Sequence, residues 1–236
     1  MTETIRINKF FTEHGICSRR EADRLIEAGR VTINNVVATL GDRVSTRDVI
    51  ARDGQVIPWS QSRVYIKYHK PVGVTTTSEA HVPRNIIREI GHPERIFPIG
   101  RLDKDSSGLI LLTNDGDIVN EILRTEFGHE RVYEVTVDRP YDQAMLDSLS
   151  AGVVILGSKT KPCLVERLGP RRLRIVLTEG RNRQIRRMCR AVGYRVLTLH
   201  RVRIMHITLA GLPAGTWKPL SPREQQELLT AVRRDH

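Results

Sequence analysis

Cysteine is scarce. Cys17, Cys163 and Cys189 stand far apart in 236 residues, odd in number and without a CxxC or Cys/His spacing. A disulfide framework and a zinc site are therefore not expected, and the three read as reduced thiols of a cytosolic protein. Long apolar runs are also missing. Uninterrupted stretches last only a few residues, against the roughly 20 that span a bilayer, so no membrane partner is expected. The opening "MTETIRINKF" has no apolar h-region behind its basic residue and does not read as a secretory signal. His69, His81, His92, His129, His200 and His206 are scattered without ligand spacing. No Rossmann or P-loop pattern and no repeat is visible, so no metal, nucleotide or redox cofactor is expected.

Acidic residues are lacking in one region above all. Across 160–203 there are thirteen Lys or Arg against Glu166 and Glu179, a local excess that equals the net charge of +11 of the whole chain. A solvated surface is the plain alternative, but an Arg-dominated concentration this lopsided points to a phosphate-binding face.

The first fifty residues predict two helices and a small β unit. Residues 7–14 read as a short helix stopped by Gly15. Ser18 opens a second, with Glu21 three residues on as a capping box, Ala22, Leu25 and Ile26 as its buried stripe, and Gly29 as its end. "RVTIN" and "VVAT" follow as strands around Asn34-Asn35. Arg19 and Arg20 occupy the first helical turn, where the macrodipole favours acids, and beside free N–H donors they would cradle phosphate. This stretch resembles the S4 RNA-binding module. An S4-like domain is expected over 1–53 and, from its Gly, Pro, Ser and Gln content, a linker over 54–63.

Residues 64–236 form the larger domain. Strands are predicted at 64–68, 109–113, 132–137, 163–168, 173–178 and 196–199, and helices at 84–90, 118–124, 142–149 and 183–192. A last helix opens at Ser221, with Pro222 at N1 and Glu224 at N3. Without a βαβ rhythm the class is α+β with a mainly antiparallel sheet. In the helix over 183–192, Ile185, Met188, Cys189 and Val192 form the apolar stripe. Arg183, Arg187 and Arg190 fall on another face, and Arg186 lies near its margin.

In "GRLDKDSSGLIL", Asp103 has three readings. It could be a turn carboxylate. It could be a metal ligand, since Asp103, Asp105, Ser107 and Gly108 fit an EF-hand loop, but Asn114 stands where a bidentate Glu is required and that reading fails. The third is a catalytic carboxylate in a basic cleft.

The third gains from three further stretches: "HKPVG", the strand "RVYEVTV" with Tyr133, and "EGRNRQIRRM". In this order the four resemble the RsuA-type pseudouridine synthases, S4-bearing enzymes that isomerise a uridine of ribosomal RNA to pseudouridine. The resemblance covers nearly the whole chain. Within the family, "FPIGRLDKDSSGLILLTNDGD", "GVVILG" and the run over 203–217 are similar to members acting on 23S rRNA. The resemblance implies that Asp103 acts at the sugar, as nucleophile on C1′ or as base at C2′. It implies that Arg101 fills the space left by the extruded base or holds the backbone, and that Tyr133 stacks on the uracil with Leu177 at its edge. Arg186 is implied as the ion-pair partner of Asp103, and Lys70, Pro71 and Gly73 as supports of the cleft. Arg19, Arg20, Arg181, Arg183, Arg187 and Arg190 are expected to meet RNA phosphates. The expected partner is structured RNA, a 23S rRNA hairpin, with a tRNA anticodon uridine as second candidate, and the expected state is a monomer.

Two rivals stand beside this reading. A non-catalytic S4-type RNA-binding protein would give Asp103 no role. A metal-dependent nuclease would use Asp103, Asp105, Asp115 and Asp117, yet lacks a His or Glu to complete the site.

Overall fold

The computed structural model describes residues 4–59, 63–79, 81–123 and 128–234. They fall into two compact units. The first takes the described residues up to 64 together with 92–96 and 113–116, and the second takes the rest.

The first unit runs β1 (Ile5–Arg6), α1 (Ile7–Glu13), α2 (Arg19–Glu27), β2 (Val31–Ile33), β3 (Val36–Val37), β4 (Arg43–Val44), β5 (Ile50–Arg52) and β6 (Gln55–Ile57). Ser18 caps α2 by accepting from the Glu21 N–H at 3.2 Å, while the Glu21 carboxylate turns to Arg24. The stripe reading holds: Ala22, Leu25 and Ile26 are buried against Ile7, Phe10 and Phe11 of α1. Arg19 and Arg20 are exposed on the first turn of α2. Asn34 and Asn35 take positive φ and close the β2–β3 hairpin in the way short right-twisted hairpins need.

The segment read as linker begins inside this sheet. Gln55–Ile57 pairs with β5 across an Asp53-Gly54 turn, both residues at positive φ. The sheet order is β3-β2-β5-β6. Residues 60–62 of the expected linker lie outside the described residues.

The second unit continues with β7 (Tyr65–Lys70), α3 (Ile86–Ile90), β8 (Phe97–Ile99), β9 (Ser107–Thr113), α4 (Gly116–Leu123), β10 (Arg131–Val137), α5 (Gln143–Ser150), β11 (Val154–Ile155), β12 (Ser158–Lys159), β13 (Leu164–Arg167), β14 (Arg172–Leu177), α6 (Gln184–Ala191), β15 (Val196–Ile204), β16 (Ile207–Thr208), β17 (Trp217–Pro219) and α7 (Pro222–Arg234). One mixed sheet carries it, ordered β13-β14-β10-β15-β9-β7-β17, with β8 on β9 and β16 on β15. The α+β reading stands: β13–β14–β10–β15 is antiparallel throughout, and β15 meets β9 in parallel at His200–Ser107 and Arg201–Gly108. That seam requires glycine. A Cβ on Gly108 would lie 2.2 Å from the Arg201 carbonyl oxygen.

Three differences from the sequence reading matter for the site. The last long strand runs to Ile204, five residues past the expected end, carrying Arg201 and Arg203 within the sheet. The α6 helix starts at Gln184, because Arg183 takes a left-handed conformation (φ 49°) and serves as N-cap. The third helix starts at Ile86, capped by Asn85 Oδ1 accepting from the Arg88 N–H at 3.0 Å. The sheet buries Val135, Leu173, Ile175, Leu177 and Leu199 against Met145 and Leu149 of α5 and against Ile185, Met188 and Cys189 of α6. A second cluster packs Leu109 and Leu111 of β9 with Ile118 and Ile122 of α4 and Leu228 of α7. Among the described residues no helix is long and apolar enough to cross a membrane.

Candidate active site

Between β8 and β9 the chain has no regular structure over 100–106, and this loop carries Asp103. Such a loop must have its backbone groups satisfied from outside. The KPxG stretch does part of this: Lys70 Nζ donates to the Ser106 carbonyl at 2.8 Å, and the Gly73 N–H donates to the Lys104 carbonyl at 2.7 Å. Thr76 Oγ1 donates to the Leu102 carbonyl at 2.8 Å. From the other side, Arg186 Nη2 donates to the Asp105 carbonyl at 2.8 Å and to Ser106 Oγ at 3.2 Å. The Ser106 N–H closes the turn onto the Asp103 carbonyl at 3.1 Å. Asp103 therefore sits on a loop whose five consecutive carbonyls over 102–106 are all engaged, with its own side chain about 30% exposed.

The cleft it faces has a volume of about 540 Å³. Arg101, Asp103, Tyr133, Leu177, Arg181 and Arg183 all line it, so the structure brings together most of the residues singled out from the sequence. Tyr133 projects from β10 between its register partners Ile175 and Arg201. Leu177 ends β14 and is buried. Lys70 is fully buried; desolvation pushes its pKa down to about 8, opposed by the charges of Asp103 and Asp105.

The expected ion pair is different. The cation within reach of Asp103 is Arg183, Nη1 to Oδ2 at 3.5 Å, and Arg183 also grips Asp105 in a fork at 2.9 and 3.2 Å. That hydrogen bond, followed by the neighbouring Arg186 and Arg183 charges, holds the Asp105 carboxyl below its usual range. Arg186 instead holds the loop backbone; its Nε stands 3.5 Å from Asp105 Oδ2, too poorly aligned to be a hydrogen bond. The left-handed turn at Arg183 causes the exchange. It takes Arg183 off the helix face assigned to it and leaves Arg186, one turn on, against the loop and the Val196 carbonyl.

Arg181 is also committed. It donates to Glu179 at 3.2 Å, to Ser158 Oγ at 2.8 Å and to the Lys159 carbonyl at 2.7 Å, which fixes the turn before α6 and leaves it little to offer a phosphate. Glu179, missed by the sequence reading, is a buried carboxylate that gathers Arg181, Gln184 and the Lys161 N–H. Arg186, Arg187, Arg190 and Arg195 line a second cleft of about 510 Å³, which Arg183 joins from the first. Arg187 folds back onto Asn182, at 3.0 and 3.1 Å, while Arg190 and Arg195 are exposed. Among the described residues no group of three or more His, Cys, Asp or Glu is placed to hold a metal ion.

A family model described as RNA pseudouridylate synthase matches residues 64–191, and one described as S4 domain matches residues 5–50. The dual-specificity RNA pseudouridine synthase RluF of Escherichia coli strain K12 is 48% identical over 231 residues, covering 97% of this chain and 80% of that protein. The ribosomal large subunit pseudouridine synthase B of Bacillus subtilis strain 168 is 34% identical over 232 residues, covering 94% and 95%. A crystal structure of a pseudouridylate synthase superposes with a TM-score of 0.69 at 28% identity, over 96% of this chain and 99% of that one.

Proposed function

The chain belongs to the RNA pseudouridine synthase family and carries an S4 domain, and from that membership we propose that Asp103 is the carboxylate acting on the ribose of the target uridine. Isomerisation breaks the C1′–N1 bond, turns the uracil and rejoins it through C5. A carboxylate must attack C1′ or take the C2′ proton, and the base must leave its stack to be reached. Asp103 serves the first need. Tyr133 supplies a ring for the extruded uracil, Leu177 an apolar edge, and Arg101, exposed beside Asp103, the group that occupies the vacated stack or holds the backbone. Arg183 pairs with the carboxylate, and Lys70, Pro71, Gly73 and Arg186 hold its loop. The observation that carries this is the convergence of Asp103, Tyr133, Leu177 and Arg183 on one cleft.

The substrate is a hairpin of 23S rRNA, a reading supported by the identity to a relative named for dual specificity and to another named for the large ribosomal subunit. A tRNA anticodon uridine is the second candidate substrate. Arg19 and Arg20 of the small unit and Arg187 and Arg190 of the large one meet RNA backbone. The enzyme works as a cytoplasmic monomer, with the join between its RNA-binding and catalytic domains at 58–63.

The test is to incubate the purified protein with deproteinised 23S RNA and tRNA and map pseudouridine by carbodiimide and reverse transcription. A stop at one site is expected, lost by about 10³-fold or more with Asp103→Asn and unchanged by EDTA. RNA binding without any new stop would leave only the binding module.

A further inference from the structure

Lys70, Arg131 and Arg201 are buried around the first cleft, at 0%, 9% and 3% exposure. Each donates to backbone carbonyls: Lys70 to Pro71 and Ser106, Arg131 to Ile122 and His129, Arg201 to Leu109. A carbonyl satisfies an N–H but does not neutralise a charge. Burying a guanidinium without a counter-charge is costly, and arginine cannot escape by releasing its proton.

Arg201 carries this furthest. Its Nη2 is buried with no hydrogen-bond partner among the described residues. The side chain is nonetheless fixed: Nε donates to the Leu109 carbonyl at 2.7 Å, and the Arg201 backbone lies against Gly108 so closely that no side chain fits there. The guanidinium carbon is 6.0 Å from the centroid of the Tyr133 ring, on the neighbouring strand. An orphaned donor on a rigid cation leaves its desolvation cost uncompensated. That cost is offset when an acceptor arrives.

We propose that Arg201 Nη2 donates to a carbonyl oxygen of the target uracil and stabilises the negative charge that the base carries once it is free. The inference rests on the uridine-isomerase reading of this cleft. When the C1′–N1 bond breaks, its electron pair leaves with N1 and spreads onto O2 and O4. The pair needed for the new bond comes from C5, whose proton is then lost, and N1 gains a proton, so the proton count closes. Between the two bonds the uracil is an anion, and a preorganised donor in a dry cleft stabilises it more than it stabilises neutral uridine. Leu177, Leu199 and Ile204 line the same cleft, which suits a flat base better than a hydrated phosphate.

The experiment measures single-turnover consumption of the target nucleotide in a 23S hairpin, with uridine or 5-fluorouridine at the target position, for wild type, Arg201→Gln and Arg201→Lys. Fluorine makes the departing base a weaker base, so it needs less help. For Arg201→Gln a loss of about 100-fold is expected on uridine, shrinking at least fivefold on 5-fluorouridine, with RNA affinity within threefold of wild type. Arg201→Lys should recover part of the loss. An equal loss on both substrates, a parallel loss of RNA affinity as a phosphate contact would give, or full activity would overturn the proposal. Should Arg201→Gln not fold, the substrate dependence of Arg201→Lys decides by the same criterion. If wild type consumes neither substrate, the isomerase reading fails and takes this inference with it; if wild type is active, only the inference is at stake.

Discussion

The two clefts of the larger unit are both walled by arginine, and they differ in what those arginines already hold. Around the first, Arg181 and Arg183 on its wall and Arg186 behind the Asp103 loop are bound to carboxylates, hydroxyls and carbonyls of the chain itself. At the second, Arg190 and Arg195 stand exposed beside the equally exposed Leu156. A guanidinium with engaged donors fixes geometry, whereas one in water is free to displace counterions from a phosphate. The density of positive charge over 160–203 announces a polyanion without saying which arginine meets it.

The sharpest way to break this comparison is Arg186→Ala. It removes the donors that hold Asp105 and Ser106 and should displace Asp103 by a fraction of an ångström. A fall of about 100-fold in the single-turnover rate is expected, with RNA affinity within threefold. Intact rate with lost affinity would move Arg186 into the RNA-facing set. Glu179→Gln probes the same set more gently. The amide turns an N–H towards groups that are themselves donors, so one of Lys161, Arg181 or Gln184 loses its acceptor. A loss of about 2 kcal/mol in unfolding free energy is expected, together with roughly a tenfold slower rate, read by denaturant titration and single turnover.

The opposite set is tested by Arg190→Gln combined with Arg195→Gln. Affinity should weaken and the slope of log K against log salt should drop by about 1.5, at 0.7–0.9 per phosphate lost. The rate at saturating enzyme should stay within twofold. A slope that does not change would mean that the second cleft does not meet RNA.

How much of this was legible in the sequence depended on how local the signal was. The β10 and β14 strands declare themselves by alternation, Val135 and Val137 on one and Leu173, Ile175 and Leu177 on the other being buried. The helix stripe of Ile185, Met188 and Cys189 does so by its period. The β5–β6 hairpin is only three residues a side, too short for alternation to set β6 apart from a linker. Asp103, Tyr133 and Leu177 were found through motif resemblance, since nothing local separates Tyr133 from a half-buried sheet residue. The exchange between Arg183 and Arg186 was hidden because it depends on one backbone angle at the N-cap. Arg201 was hidden as one of thirteen basic residues spread over 160–203; its one signal was Gly108, a glycine inside a strand that marks a close backbone approach.

The smallest effect separates charge from geometry at Lys70, the buried cation whose pKa is about 8. Its unfolded value is 10.5, so between the two the unfolded chain binds more protons than the folded one, and stability must rise with pH across that window. Below pH 8 both states are protonated and the full burial cost of the charge is present; above 10.5 it is gone. Activity should move the other way, because the rising pH strips a positive charge from beside the Asp103 loop. Lys70→Met removes both trends at once. The difference in melting temperature between Lys70→Met and wild type should therefore shift in favour of wild type from pH 8 to 10. The rate of wild type should decline by a few fold through pH 8, a step that the variant lacks. Parallel pH profiles for the two proteins would mean that Lys70 stays charged and acts only through its hydrogen bonds to Pro71 and Ser106.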